Sequence, residues 1–155
     1  MTSLTRLLAI SALLGMAAIP AAAHPHVWVT VKSELRWQDD GRVAGVRHAW
    51  TFDEGYSAYV TQGLDTNRDG KLTPDELLEL AKENTTSLVD FDYFTIIKAN
   101  GRTQAFGDPT DYGMAFDKGT ATLSFYLPLR APVRADKSLS LEVYDPTFFV
   151  EFRLA

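Results

Sequence analysis

From Val27 the chain alternates, with Val27, Val29, Val31, Leu35 and Trp37 on one face and Thr30, Lys32, Glu34 and Arg36 on the other. A two-residue period is that of a half-buried strand. Ala44, Val46, His48, Trp50 and Phe52 form a second alternating set, and Asp39-Asp40-Gly41-Arg42 between them is turn chemistry. With Asp40-Gly41 as the two-residue turn, paired positions put Ser33 opposite His48, Trp28 opposite Asp53 and Val27 opposite Glu54. Residues 53–91 change period: Tyr56, Tyr59, Val60 and Leu64 make one helical stripe, and Leu77, Leu80, Ala81 and Leu88 another. Strand patterning then returns. Phe94 and Ile96 lead to an Asn100-Gly101 turn and a strand over 103–106; Tyr112, Met114 and Phe116 reach the Asp117-Lys118-Gly119 turn. Ala121, Leu123, Phe125, Leu127 and Leu129 follow, then Leu139, Leu141 and Val143, and finally Phe148, Val150, Phe152 and Leu154. About eight short strands around one helical pair predict an α+β fold, mainly antiparallel and sandwich-like, with a helix-loop-helix inserted at 53–91.

The first residues have a different character. A short positive start ending at Arg6, an apolar run from Leu7 to Ile19, and Pro20-Ala21-Ala22-Ala23 read as a secretory signal peptide over 1–23. The run is shorter than the roughly 20 apolar residues of a bilayer span. Cleavage after Ala23 makes residues 24–155 one exported β-rich domain that begins at His24, with no membrane span left. The 155 residues carry a formal charge of −5 and no run of Lys or Arg, which argues against a nucleic-acid partner. Zero Cys excludes disulfides, thiolate metal sites and Cys nucleophiles, so any metal must use His, carboxylate and carbonyl ligands.

The sharpest motif is Asp65-Thr66-Asn67-Arg68-Asp69-Gly70-Lys71-Leu72-Thr73-Pro74-Asp75-Glu76, which fits the calcium loop of an EF-hand at every specified position. Ca2+ takes six to eight hard oxygens, and a loop wound around it presents alternate residues inward. Asp65, Asn67 and Asp69 would offer side-chain oxygens, Lys71 its carbonyl, Thr73 its hydroxyl or a water, and Glu76 both carboxylate oxygens. Thr73 would also cap the following helix, with Pro74 at its first position and Glu76 at its third. A single such loop in an exported protein suits a structural clip better than a sensor.

His24-Pro25-His26 would put an α-amino group and two imidazoles within three residues, and the hairpin register brings Asp53 or Glu54 across from them. His24, His26 and Asp53 are therefore candidate ligands for Ni2+, Co2+, Zn2+ or Cu2+. His48 sits on the face of Val46, Trp50 and Phe52, and reads as a satisfied core histidine. Trp28, Trp37 and Trp50 read as core. Asn84-Thr85-Thr86 matches a glycosylation acceptor but falls on the second helix.

Taken together, His24-Pro25-His26-Val27-Trp28-Val29, Arg47-His48-Ala49-Trp50-Thr51-Phe52-Asp53-Glu54, the calcium-type loop, Pro109-Thr110-Asp111-Tyr112 and Val143-Tyr144-Asp145-Pro146-Thr147 resemble the domain-of-unknown-function 1007 family. The resemblance implies a periplasmic component of an ABC-type transport system associated with nickel/cobalt-type transporters, and hence a membrane metal transporter as partner. It also implies some tens of residues beyond the strand at Phe148 to Leu154, where this sequence stops at Ala155. Two functions compete: an exported calcium-binding accessory of transition-metal transport, and a calcium-stabilised structural or interaction module whose histidines are incidental. An enzyme is not expected, because no G-x-S-x-G, H-E-x-x-H or Gly-rich phosphate loop is present.

Overall fold

The computed structural model describes residues 26–155. Alternation at the start becomes β1 (Val27–Trp37) and β2 (Val43–Phe52), paired antiparallel with Ser33 opposite His48 as the pattern predicts. The turn differs. Gly41 N–H donates to the Gln38 carbonyl and Gln38 N–H to that of Arg42, so three residues, Asp39-Asp40-Gly41, form the loop. Gly41 takes the left-handed φ of +80° that closes a bulged hairpin, and the register shifts by one between Arg36 and Trp37.

At Asp53 the chain leaves the sheet. Asp53 accepts from Tyr56 N–H at 2.9 Å and caps α1 (Glu54–Val60), and α2 (Leu78–Ser87) follows the loop 65–76. Both helices are shorter than the periodicity suggests. Gly63 at φ +78° lies beyond α1, so Leu64 lies outside the helix, and Tyr59 is exposed. Leu77 and Ala81 are fully buried, with Leu80 and Leu88 packed at the edge of the core, so the second stripe is as expected. A kinked 3-10 segment, Leu88–Phe94, then turns the chain into β3 (Thr95–Ala99).

After β3 come the short β4 (Arg102–Thr103), β5 (Thr110–Asp117), β6 (Thr120–Val133), β7 (Leu139–Val143) and β8 (Val150–Leu154). They build a five-stranded sheet, β5-β6-β2-β1-β8, and a three-stranded one, β4-β3-β7. Every pairing is antiparallel except β1 with β8. The result is a β-rich α+β fold with few helices. β6 buries Ala121, Leu123, Phe125, Leu127 and Leu129, the face its alternation predicts. β3 reverses the expected face, burying Thr95, Ile97 and Ala99, because left-handed residues at Asp92, Tyr93 and Phe94 rotate its entry by one position. One apolar cluster spans both sheets, joining Val29, Trp50 and Phe125 to Ile97. Of the tryptophans, Trp50 is core, whereas Trp28, on the outward face of β1, and Trp37, at its bulged end, are 42% and 54% exposed.

Candidate functional site

The loop 65–76 owes its shape to its own side chains. Asp65 accepts from Asp69 N–H (3.1 Å) and Gly70 N–H (2.9 Å), Asn67 Oδ1 from Asp69 N–H (2.9 Å), and Asp69 from Lys71 N–H (2.8 Å). Short polar side chains bonding backbone two to five residues onward wind the chain into a tight coil. Arg68 and Gly70 stand in the left-handed region, φ +59° and +79°, and only the glycine is there without steric cost. Glu76 reaches back over the coil. Its Oε1 accepts from Thr66 N–H and hydroxyl, its Oε2 from Thr73 N–H and hydroxyl, each at 3.0 Å. The Thr73 donors first, then those of Thr66, hold the Glu76 carboxyl down to about 2.

Glu76 N–H donates in turn to Thr73 Oγ1 at 3.3 Å, which completes a reciprocal capping box. The regular helix nevertheless starts later than that motif predicts. Residues 74–77 form a hydrogen-bonded turn and Leu77, without a side-chain cap, precedes the first residue of α2. At the other end, Thr61 closes α1 four positions before Asp65, so α1 does not run directly into the loop.

For the donor set, the fit to Ca2+ is chemical: Asp65, Asn67, Asp69, Thr73 and Glu76 supply hard oxygens, Lys71 a carbonyl, and no nitrogen or sulfur donor intrudes. These carboxylates satisfy backbone donors, and among the described residues no three His, Cys, Asp or Glu side chains converge on a common point. A concave surface beside the loop is completed by the β5–β6 turn, with Phe116, Asp117 and Lys118 facing Asp65, Gly70 and Leu72.

His24 and the residues expected to form a signal peptide, 1–23, lie outside the described residues. His26 is exposed at the head of β1. Its N–H donates to Phe149 O at 2.9 Å and its ring lies 5.0 Å from that of Phe149. Asp53 falls opposite Trp28, as the register predicts, but both its oxygens are engaged: Oδ2 by Trp28 N–H (3.0 Å) and Oδ1 by Tyr56 N–H. Burial alone would raise the Asp53 carboxyl; the backbone donors of Trp28, Tyr56 and Gly55 outweigh it and hold it below the usual range. His48 is fully buried between Ser33 Oγ at Nδ1 (2.9 Å) and Thr95 Oγ1 at Nε2 (3.2 Å), and desolvation lowers it to about 4. It is a neutral core residue, as its face predicts.

Asp145 escaped the sequence reading as an individual residue. Only 6% exposed, it accepts from Thr147 N–H and hydroxyl through Oδ1 and from Phe149 and Val150 N–H through Oδ2. Those bonds outweigh burial and keep it ionised below the usual range. The signal was the Asp-Pro-Thr turn, whose Asx geometry fixes the approach to β8. Phe149 links Asp145, which accepts from its N–H, to His26, which donates to its carbonyl, whereas Asp53 is bonded separately to Trp28 and Tyr56. Arg47 on β2 likewise reaches the Asp111 carboxylate and carbonyl at the start of β5.

A β-rich α+β fold with an acidic, oxygen-donor loop between its two short helices is thus the class of protein defined by this geometry. Residues 9–155 match the family described as "Protein of unknown function (DUF1007)", and the chain belongs to that family. It is also similar to the "Uncharacterized 15.5 kDa protein in trpE 3'region" of Spirochaeta aurantia, 30% identical over 87 residues, which is 56% of this chain and 62% of that protein. The chain thus matches less than two thirds of that relative's length. No solved structure matches it. Among the described residues, no helix is long and apolar enough to cross a membrane.

Proposed function

We propose that this chain is an exported, periplasmic calcium-binding protein, with Ca2+ held in the single EF-hand-like loop by Asp65, Asn67, Asp69, Lys71, Thr73 and Glu76. The observation that carries the reading is the loop's preformed coil: its oxygen donors sit at the required spacing, with left-handed backbone at Arg68 and Gly70. At free Ca2+ about a hundredfold above Kd, binding would add roughly 2.7 kcal/mol to stability. The protein serves as an accessory component of a transition-metal transport system, with a membrane transporter as partner. That placement is what the family resemblance implies, and the nitrogen donors His24 and His26 at the predicted mature terminus fit it.

The competing reading, a calcium-stabilised interaction module without a transition-metal role, is favoured by two observations: Asp53 is already spent on Trp28 and Tyr56, and the His26 ring packs, tilted, against that of Phe149. Melting in EDTA and in millimolar Ca2+ tests the loop. Glu76→Gln should remove most of the difference and Asp75→Asn should keep it; equal melting with and without calcium defeats the proposal. Titration of the calcium-loaded mature protein with Ni2+, Co2+, Zn2+ and Cu2+ separates the two readings. Loss of a site in His24→Ala and His26→Ala, with unchanged stoichiometry in His48→Ala and weaker binding below about pH 6, supports the transport role. Unaltered binding in all three leaves the interaction module.

A further inference from the structure

The five-stranded sheet ends at β5 on one side and at β8 on the other, and the two edges differ. β5 is interrupted by a bulge between Thr110 and Gly113, with Asp111 in the left-handed region. β8, Val150-Glu151-Phe152-Arg153-Leu154, is a regular run without proline, glycine, lysine or bulge. Such an edge is a template for another strand. Main-chain groups alternate between the two sides of a strand, and the flanking bonds fix their phase here. Phe149 O accepts from His26 and Val27 N–H, and Ala155 N–H donates to Val31 O, so the odd-numbered residues bond β1. Val150, Phe152 and Leu154 therefore turn their main-chain groups to the open edge. Val150 N–H is taken by Asp145 Oδ2 at 2.9 Å, which leaves the N–H groups of Phe152 and Leu154 and all three carbonyls for a partner.

The side chains of β8 select that partner. Glu151 and Arg153 lie two apart on one face and bond each other at 2.7 Å, while Val150, Phe152 and Leu154 share the other. Read backwards, the strand keeps its apolar positions and exchanges acid for base. We propose that two copies of this chain pair antiparallel through β8 about a two-fold axis at Phe152, which joins their five-stranded sheets into one. Glu151 then faces Arg153 of the second copy, and Phe152 faces Phe152. Leu154, 79% exposed, comes opposite Val150, beside a groove of about 680 Å³ also lined by Tyr144, Pro146, Phe148 and Phe152. Phe152 N–H donates to Phe152 O and Leu154 N–H to Val150 O, each twice by symmetry, so every free donor is used and Asp145 keeps Val150 N–H. Sliding the register by two residues would set Glu151 against Glu151 or Arg153 against Arg153. The contact uses the same patch on both copies and closes at two. It is separate from the calcium loop and does not depend on it.

The test is sedimentation of the full mature chain in millimolar Ca2+, from micromolar to near-millimolar protein, with amide exchange followed by 1H–15N spectra. The parent should pass from monomer to dimer over that range, and the Phe152 and Leu154 amides should gain protection with concentration while those of the β5 edge do not. Arg153→Glu or Glu151→Arg puts like charges opposite each other in both halves of the seam and should weaken dimerisation about tenfold. The double variant Glu151→Arg/Arg153→Glu should restore it, and so should an equimolar mixture of the two single variants. Recovery in the mixture separates pairing between copies from the ion pair within one strand. Leu154→Pro removes an outward N–H that the monomer does not use, so it should stay folded and monomeric. Should that variant not fold, the charge exchanges decide. A parent monomeric at every concentration, a dimer indifferent to the charge exchanges, or a mixture no better than either single variant would overturn the proposal.

Discussion

Lowering the pH from 7 to 5 should destabilise this fold through one residue. His48 is buried and neutral, lowered by desolvation to about 4 from its ordinary 6.5. A histidine depressed in the folded state leaves the unfolded chain to take up the proton first. Its contribution is therefore complete above about 6.5 and is lost as pH falls toward 4. The slope approaches 1.4 kcal/mol per unit in the middle of that window, so the loss at pH 5 is about 2 kcal/mol, out of the 5–15 kcal/mol typical of a domain. The lowered carboxylates, Asp40, Asp53, Glu76 and Asp145, act in the same direction, but only as pH falls below their ordinary values of 3.8 to 4.5. Urea unfolding at pH 7, 6 and 5 in fixed Ca2+ isolates the histidine. The parent midpoint should fall at each step. His48→Gln, which keeps a hydrogen-bonding group between Ser33 and Thr95, should start lower and stay flat. A parent flat from pH 7 to 5, or a slope that survives in His48→Gln, would refute the reasoning.

Gly45→Ala should cost about 3 kcal/mol or prevent folding, since a Cβ there would lie 2.5 Å from Leu127 O and 2.8 Å from Pro128 Cα, both backbone atoms of the adjoining strand; thermal melts measure it. Gly70→Ala, with nothing within 4 Å, should lose only about 1–2 kcal/mol, from its left-handed φ, and should weaken Ca2+ binding measured by titration calorimetry. Asp145→Ala strands the N–H groups of Phe149 and Val150 and should cost about 3 kcal/mol, with β8 amides exchanging faster than those of β2 in hydrogen-exchange measurements.

Alternation made β1, β2, β5 and β6 legible because a strand half buried against a core must place apolar residues at every second position, and the pairing of Ser33 with His48 followed from it. The spacing of oxygen-bearing residues in 65–76 was legible for a similar reason. Their side-chain bonds run within the same twelve residues, so the coil is a local structure that needs no distant contact. Non-local decisions were not written in the pattern. The parallel placement of β8 beside β1, the division into two sheets, and the exposure of Trp28 and Trp37 depend on which edge each strand meets. Asp53 shows the limit most clearly. The sequence could place it across from Trp28, yet only the folded chain shows that both its oxygens hold the turn from β2 into α1. A carboxylate bonds whichever donors the backbone brings to it, and where the backbone goes is a property of the whole fold.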